Sequence, residues 1–509
     1  MTTDDAALEA VDSCRPTGPG QPLFTRREFA GACGSGLVGM AAAAGPAGAA
    51  ERAADGALLA GAAEADITPF PGCQIDGNIG APRPMETVTT PIHARALVLE
   101  QSGKRFCLLS MDLLAITTAE ADNVRRMAAD KFGFARDAVA VHVTQNHSAP
   151  SMGQIMLTDR LPATKKYPWL RGSHPDYAPL VLGRVEQAIA AAIAAVEPVT
   201  VAWAAAIDGR VSFNRRTIMR DGTAAMHLGG RSVEDVLQRE GPSDPEVGIA
   251  TFTADGSRTV AALLHHTCHP VHWTPHRAVH ADWPGRWADV VRRDILPGVT
   301  PLVVNGCCGN VHHYDMFNPS REDTPESMGK LLAESTRTAL SRPHAVESPA
   351  LSWISETIRI PWRRFPADVF PAAHRLIEAN PEPMWRSPAK DAVDWDWCFA
   401  ASLLDVEQMM RDADGFDYEV QAVRIGDLAL VVLPGEPFVE AQLAIKAASP
   451  AKRTFFAHMA NGYAGYIPTP LALAGGGYEC RPSIASRLCT EALQMITDKS
   501  IAVLGKLYG

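Results

Sequence analysis

Ala138-Val139-Ala140-Val141-His142-Val143 runs without a break into Thr144-Gln145-Asn146-His147-Ser148-Ala149-Pro150. A short apolar run of this kind, rich in valine, predicts a buried strand. Its C-terminal end delivers amide and imidazole groups into a loop. The same arrangement recurs along the chain. A strand over Thr259 to His265 leads into a histidine-dense loop, and one over Pro301 to Val304 leads into Asn305-Gly306-Cys307-Cys308-Gly309. The apolar run Leu428 to Leu433 precedes Pro434-Gly435-Glu436-Pro437-Phe438. Strand ends that open into polar loops are where α/β folds place their sites.

The segments between these strands read as helices and hairpins. Residues 117–131 have helical spacing behind a threonine start, and Tyr177 to Ala195 is a long Ala/Leu/Val helix. Thr324 to Leu340 is amphipathic, and Phe438 to Ala448 is a further helix. Ala94 to Leu99 and Phe106 to Met111 form a hairpin around Gln101-Ser102-Gly103-Lys104, and Val420 to Ile425 pairs with Leu428 to Leu433 around Gly426-Asp427. Val199 to Ala206 is another strand. Residues 380–395 (NPEPMWRSPAKDAVDW) read as an excursion or lid.

With 47% hydrophobic and 20% charged residues, the chain of 509 is too apolar to be disordered. Its net charge of -10 argues against a nucleic-acid partner, which calls for a basic footprint. Residues 1–50 read as an address and a disordered N-terminus. Thr25-Arg26-Arg27-Glu28-Phe29, the weakly apolar run Gly31 to Ala44 and the small-residue site Ala47-Gly48-Ala49 fall in the order of a twin-arginine export signal. The run is shorter than the roughly 20 residues that span a bilayer, and no later segment is a membrane helix. The expected product is a single soluble domain over residues 55–509, periplasmic or extracellular. Ten cysteines include Cys14 and Cys33, which leave with the signal. An oxidising destination permits disulfides among the other eight but does not fix a pairing. Adjacent Cys307 and Cys308 are poorly placed to pair with each other. The absence of CxxC argues against a zinc ribbon.

Histidine carries the strongest chemical signal. Eight of sixteen lie between His265 and His313: His265, His266, His269, His272, His276, His280, His312 and His313. Any one of them is adequately explained as a solvated side chain. Together they point to a metal, since imidazole is the commonest borderline ligand. The cluster lacks HExxH, and no GxGxxG follows a strand, which disfavours a zincin and a nicotinamide or flavin oxidoreductase. Glu436 sits between a strand and a helix, and Asn461-Gly462-Tyr463-Ala464-Gly465-Tyr466-Ile467-Pro468 is a glycine-broken aromatic loop.

Taken in order, the motifs resemble the catalytic domain of the neutral/alkaline, non-lysosomal ceramidases. They are Ala65-Asp66-Ile67-Thr68-Pro69, Ile92-His93-Ala94-Arg95-Ala96, Ser110-Met111-Asp112, Phe213-Asn214-Arg215-Arg216, Asp244-Pro245-Glu246-Val247, Cys268-His269-Pro270-Val271, Ala281-Asp282-Trp283-Pro284-Gly285, Asn305 to His313, Gly435-Glu436-Pro437 and Tyr463-Ala464-Gly465-Tyr466. The resemblance implies a layered mixed-sheet α/β domain, here without the family's C-terminal immunoglobulin-like domain. It also implies a zinc amidase that cleaves an N-acyl bond in a small-molecule or lipid-like substrate, zinc being replaceable by another divalent metal. It puts His269, Glu436 and Tyr466 in three of the family's four metal-ligand positions. His147, Arg215 and Tyr478 match its substrate-site positions.

Two departures stand out. Gln145 occupies the position of the first zinc histidine, so His147, His272, His312 and His313 become candidates to supply the missing imidazole. The catalytic serine position is His312, preceded by Asn310, which favours a metal-water route with histidine as general acid/base or extra ligand over a serine acyl-enzyme. The competing readings are a degenerate member that binds a ligand without turnover, and an esterase or lactonase using the same site. The sequence specifies neither the acyl chain nor the assembly state.

Overall fold

The computed structural model describes residues 56–272 and 276–509. The twin-arginine stretch, its apolar run and its small-residue site lie outside the described residues.

Three sheets build the body. The first has the order Val139–Val143, Lys104–Met111, His93–Gln101, Leu59–Asp66, Glu197–Pro198. The second runs Thr300–Asn305, Arg258–His266, Glu246–Ala254, Thr200–Ile207, His344–Ala345, and the third Leu351–Pro361, Gly415–Ile425, Leu428–Val432, Arg453–Ala457. All three are mixed. Each carries one parallel pair: Lys104–Met111 with Val139–Val143, Arg258–His266 with Thr300–Asn305, and Leu428–Val432 with Arg453–Ala457. The α/β mixed-sheet architecture expected from the sequence is the one observed. Both expected hairpins are present as antiparallel pairs.

Helices cover the outer faces. Tyr177–Ala194 packs on the first sheet. Asp282–Asp294 and Pro325–Leu340 cover the second, and Val439–Ala448 and Ala492–Tyr508 the third. The largest apolar cluster joins the inner faces of all three sheets through Leu97, Leu109, Val141, Leu263, Val423 and Phe455. The result is a helix–sheet–sheet–helix stack, with the second and third sheets meeting edge to edge. At that seam the His458 backbone N–H donates to the Asn305 carbonyl at 3.0 Å.

Local chemistry accounts for the helix ends. The Thr117 hydroxyl accepts from the Glu120 N–H, and Gly133 at φ 74° closes the helix Thr118–Phe132 with bonds to Ala128 and Ala129. Thr324 and Ser327 form a reciprocal cap on the helix that begins at Pro325. Several quoted motifs hold the fold. Arg95 donates to both carboxylate oxygens of the buried Asp112 at 2.9 Å. Gln442 and Lys446 both donate to Asp244. Residues 380–394 connect the helix Val369–Ala379 to the helix Trp395–Asp412, and Trp385 and Val393 there belong to a separate apolar cluster with Leu157, Leu170 and Trp397.

No helix among the described residues is long and apolar enough to cross a membrane. The eight cysteines of the described residues are all unpaired, so the disulfides that an oxidising compartment would permit are not formed.

Candidate active site

The strand Val139–Val143 ends two residues before Gln145, whose left-handed φ of 67° breaks the extended run. The Gln145 Nε2 donates to Glu436 Oε2 at 2.6 Å, and its Oε1 lies 3.2 Å from the Cys308 thiol, which donates to it. Glu436 follows Gly435, at φ 70°. A Cβ on that glycine would lie 2.7 Å from the Gly465 carbonyl oxygen, so only glycine lets the two loops approach. Glu436 and Pro437 then pair in parallel with Tyr466 and Ile467.

His269 leaves the strand Arg258–His266 and is fully buried. Its Nδ1 faces two carbonyl oxygens, Cys308 at 2.6 Å and Val311 at 3.1 Å. Both can only accept, so Nδ1 carries the proton. Burial, reinforced by the charge of Arg215, lowers the pKa of His269 and favours the neutral ring. The lone pair of Nε2 therefore points at Glu436 Oε2, 3.2 Å away, and Nε2 has no hydrogen-bond partner of good geometry. A lone pair facing a carboxylate oxygen is repulsive unless a cation lies between them. An imidazole and a carboxylate converging on one point suit a divalent metal.

The substrate-site positions adjoin this pair. The His147 ring centre is 5.7 Å from that of His269, and its Nδ1 lies 2.8 Å from the Gly77 carbonyl. Burial pushes its pKa down to about 3, so the ring is neutral. Arg215 donates from Nε to Glu479 at 2.7 Å and from Nη2 to the Gly309 carbonyl at 2.9 Å. Its guanidinium stands 5.5 Å over the Tyr466 ring and 6.0 Å over that of Tyr478. Burial opposes its charge, but Tyr466 and Glu479 more than offset that and keep it fully protonated. Burial raises the Tyr478 phenol to about 12.

A cavity of about 100 Å³ opens onto these groups. Gln145, His147, Glu436, Tyr463, Tyr466 and Tyr478 form its polar end. Leu114, Ile155, Leu157, Phe399 and Ile484 line the rest.

The structure thus brings Gln145, His147, His269, Glu436, Tyr466, Arg215 and Tyr478 into one neighbourhood. It distributes the other histidines differently. His265 stacks on Phe455 and His266 meets Trp283 edge-on, both in the core. His312 pairs through its backbone with His269, and its ring contacts those of His227 and His313. His272 and His313 join Asp323, the three offering ligand atoms within 4.8 Å of one another, a group that could hold a metal ion. Asn310 caps the helix Val439–Ala448 by accepting from the Val439 N–H at 3.0 Å.

Three residues of the site have no separate signal in the sequence. The Tyr463 hydroxyl, not only Tyr466, approaches Glu436, donating to Oε1 at 3.3 Å. The Cys308 thiol touches Gln145, and Glu479 anchors both Arg215 and Arg216. Tyr463 shares the quoted aromatic loop with Tyr466, so spacing alone does not separate their roles.

Gly309 lets the Asn305–Gly309 loop lie against the Glu436 turn. A Cβ there would fall 2.5 Å from the Glu436 carbonyl oxygen and 3.0 Å from that of Pro437. Gly309→Ala is therefore expected to push the turn outward and to destabilise the fold by about 1–3 kcal/mol. A thermal melt equal to wild type would show that the loops do not abut.

No protein-family model matches the sequence, and no curated protein matches it. Among solved structures, the chain is similar to the neutral ceramidase from Pseudomonas aeruginosa, with a TM-score of 0.66 at 17% identity over 89% of this chain and 75% of that one. It is likewise similar to a ceramidase complexed with C2, with a TM-score of 0.64 at 17% identity over 89% and 76% of the two chains. The likeness is one of architecture, and by it the chain has a neutral-ceramidase-like fold.

Proposed function

We propose that the protein is a metal-dependent hydrolase that cleaves the N-acyl bond of a lipid-like substrate, exported by the twin-arginine route. The observation that carries this reading is the His269 Nε2 lone pair facing Glu436 Oε2 at 3.2 Å, at the polar end of an apolar cleft. His269 and Glu436 would hold the cation, zinc being the first choice. Tyr466 would be a further ligand, together with the Gln145 amide once its oxygen turns inward. Bound there, a divalent cation supplies Lewis acidity, polarising the acyl carbonyl and making water a competent nucleophile near neutral pH.

The chain's own side chains supply the rest. The apolar wall takes the acyl chain and excludes water from the reacting end. Tyr478 keeps its proton at neutral pH and donates to the oxygen on which charge develops. Arg215 strengthens that stabilisation from behind the two tyrosine rings. His147, its Nδ1 held against the Gly77 carbonyl, lines this end of the cleft and helps to orient the substrate there.

The test is metal analysis of the purified protein alongside release of fatty acid from a panel of N-acyl amides, acyl esters and lactones. Bound metal with amide turnover supports the reading. Turnover of esters alone moves the assignment to an esterase or lactonase.

One contact favours the second reading, a binder without turnover: the Gln145 amide donates to the very oxygen that faces His269. Turnover in the substrate panel separates the two, and Gln145→His tests whether position 145 reaches the metal. A second imidazole in place of a neutral amide is expected to tighten zinc binding at least about tenfold, or roughly 1.4 kcal/mol. Unchanged or weaker affinity in a competition titration would remove position 145 from the ligand set.

A further inference from the structure

His272 and His313 stand apart from the Glu436 pair, on the two segments joined by the backbone pairing of His269 with His312. His272 lies three residues beyond His269, and His313 follows the short strand Val311–His312 that pairs with Asn214 and Phe213. Their imidazoles lie face to face, with centres 3.4 Å apart and planes 18° apart. Asp282 accepts from His272 Nδ1 at 2.7 Å and from its backbone N–H at 2.9 Å. With Nδ1 so committed, the ring presents Nε2 to Asp323 Oδ1, 3.3 Å away; burial opposes its charge, but the two aspartates raise its pKa to about 9, so a bound metal would displace a proton from Nε2. His313 Nδ1 lies 2.8 Å from Asp323 Oδ2, which leaves the buried His313 Nε2 without a hydrogen-bond partner. Arg321 completes the surroundings, donating to Asp323 Oδ1 at 2.9 Å and to the His313 carbonyl at 2.6 Å.

Each feature has a meaning in coordination chemistry. A carboxylate that holds the far nitrogen of an imidazole fixes the tautomer a metal needs and orients the ring, as Asp282 does for His272. Two ligand atoms about 2.0–2.2 Å from a tetrahedral ion lie roughly 3.3–3.6 Å apart. The three potential ligand atoms, all within 4.8 Å of one another, can close to that separation by small side-chain rotations. The side chains of His272, His313 and Asp323 are 1%, 8% and 17% exposed, so the pocket is dry apart from an edge at Asp323. His313 Nε2 is buried without a hydrogen-bond partner, and Asp282 and Asp323 would go on facing a cation if a metal displaced the His272 proton.

We propose that His272, His313 and Asp323 form a second site for a divalent transition metal, with Asp282 as the positioning residue for His272. Its two-imidazole, one-carboxylate donor set suits zinc or iron(II) and excludes a preference for magnesium or calcium, which take oxygen shells. The inference is independent of the Glu436 reading.

The test uses the full chain, stripped by a chelator and titrated with cobalt(II) by absorption and with zinc by calorimetry. The wild type is expected to take two equivalents. His313→Ala and, as a gentler change, Asp323→Asn are each expected to take one and to lose one set of cobalt bands. Asp282→Asn should weaken that site by about 10–100-fold. Glu436→Gln should keep the bands that His313→Ala removes. Two equivalents in folded Asp323→Asn, or none in Glu436→Gln, would overturn the second site. A single equivalent abolished by His313→Ala and untouched by Glu436→Gln would uphold it and sink the Glu436 reading instead.

Discussion

Glu436→Gln is expected to lose the metal of the His269 centre and to lower N-acyl hydrolysis by about a thousandfold or more, while the protein stays folded. The substitution keeps the shape of the side chain and removes its charge. Its amide oxygen can still accept from Gln145 Nε2, and the Tyr463 hydroxyl can turn to accept rather than donate. Stability should therefore change by no more than about 1 kcal/mol. What disappears is, among the described residues, the one charged donor that meets His269 Nε2. The cation would be left with one imidazole and neutral oxygens, a set with little hold on zinc. Metal content by mass spectrometry, read beside a thermal melt, checks both halves. Wild-type occupancy at the His269 centre in a folded Glu436→Gln protein would refute the assignment.

The second large effect is on stability. Glu479 is fully buried between two arginines, accepting from Arg215 Nε at 2.7 Å and from Arg216 Nη1 at 2.8 Å. Glu479→Gln leaves two buried guanidiniums sharing a neutral partner. Breaking a buried ion pair on one side typically costs about 3–5 kcal/mol, a large part of the 5–15 kcal/mol that holds most proteins folded. Arg215 should also lose its seat over Tyr466 and Tyr478, so residual activity falls with it. Burial raises the carboxyl pKa, but the two arginines overcome that and hold it at about 2, below its ordinary value of 4.5. The stability it contributes is thus complete above pH 4.5 and is lost as pH falls towards 2. Urea unfolding should show wild type and Glu479→Gln far apart at pH 7 and closer at pH 3. A constant gap would mean that the lost contacts are not those of the charge.

Much of this architecture is written locally. Thr117 and Thr324 announce their helices because a hydroxyl that meets a free N–H needs only its own turn. The hairpin turns at Gly103 and Gly426 are equally local. The convergence of Gln145, His269 and Glu436 is foreshadowed because all three follow the ends of predicted strands. The histidine run is less legible. Side chains alternate across a strand, so His265 and His266 fall on opposite faces and both end in the core. The residues beyond them divide between Glu436 and Asp323 by tertiary packing alone. Glu479 escapes notice for the same reason, since its partner Arg215 is 264 positions away. Cys308 reads as one half of an unusual cysteine pair, and only the folded chain shows its thiol against Gln145.

Gln145 and Glu436 meet across 291 positions. A nascent chain therefore emerges from the ribosome with one half of the pocket and waits for most of its length before the other half exists. The centre proposed at Glu436 would thus be complete only after translation has passed residue 436, and a chain truncated before that residue would lack it. Metal held at the His269–Glu436 centre, as distinct from the His272–Asp323 one, would then gauge how many molecules were finished.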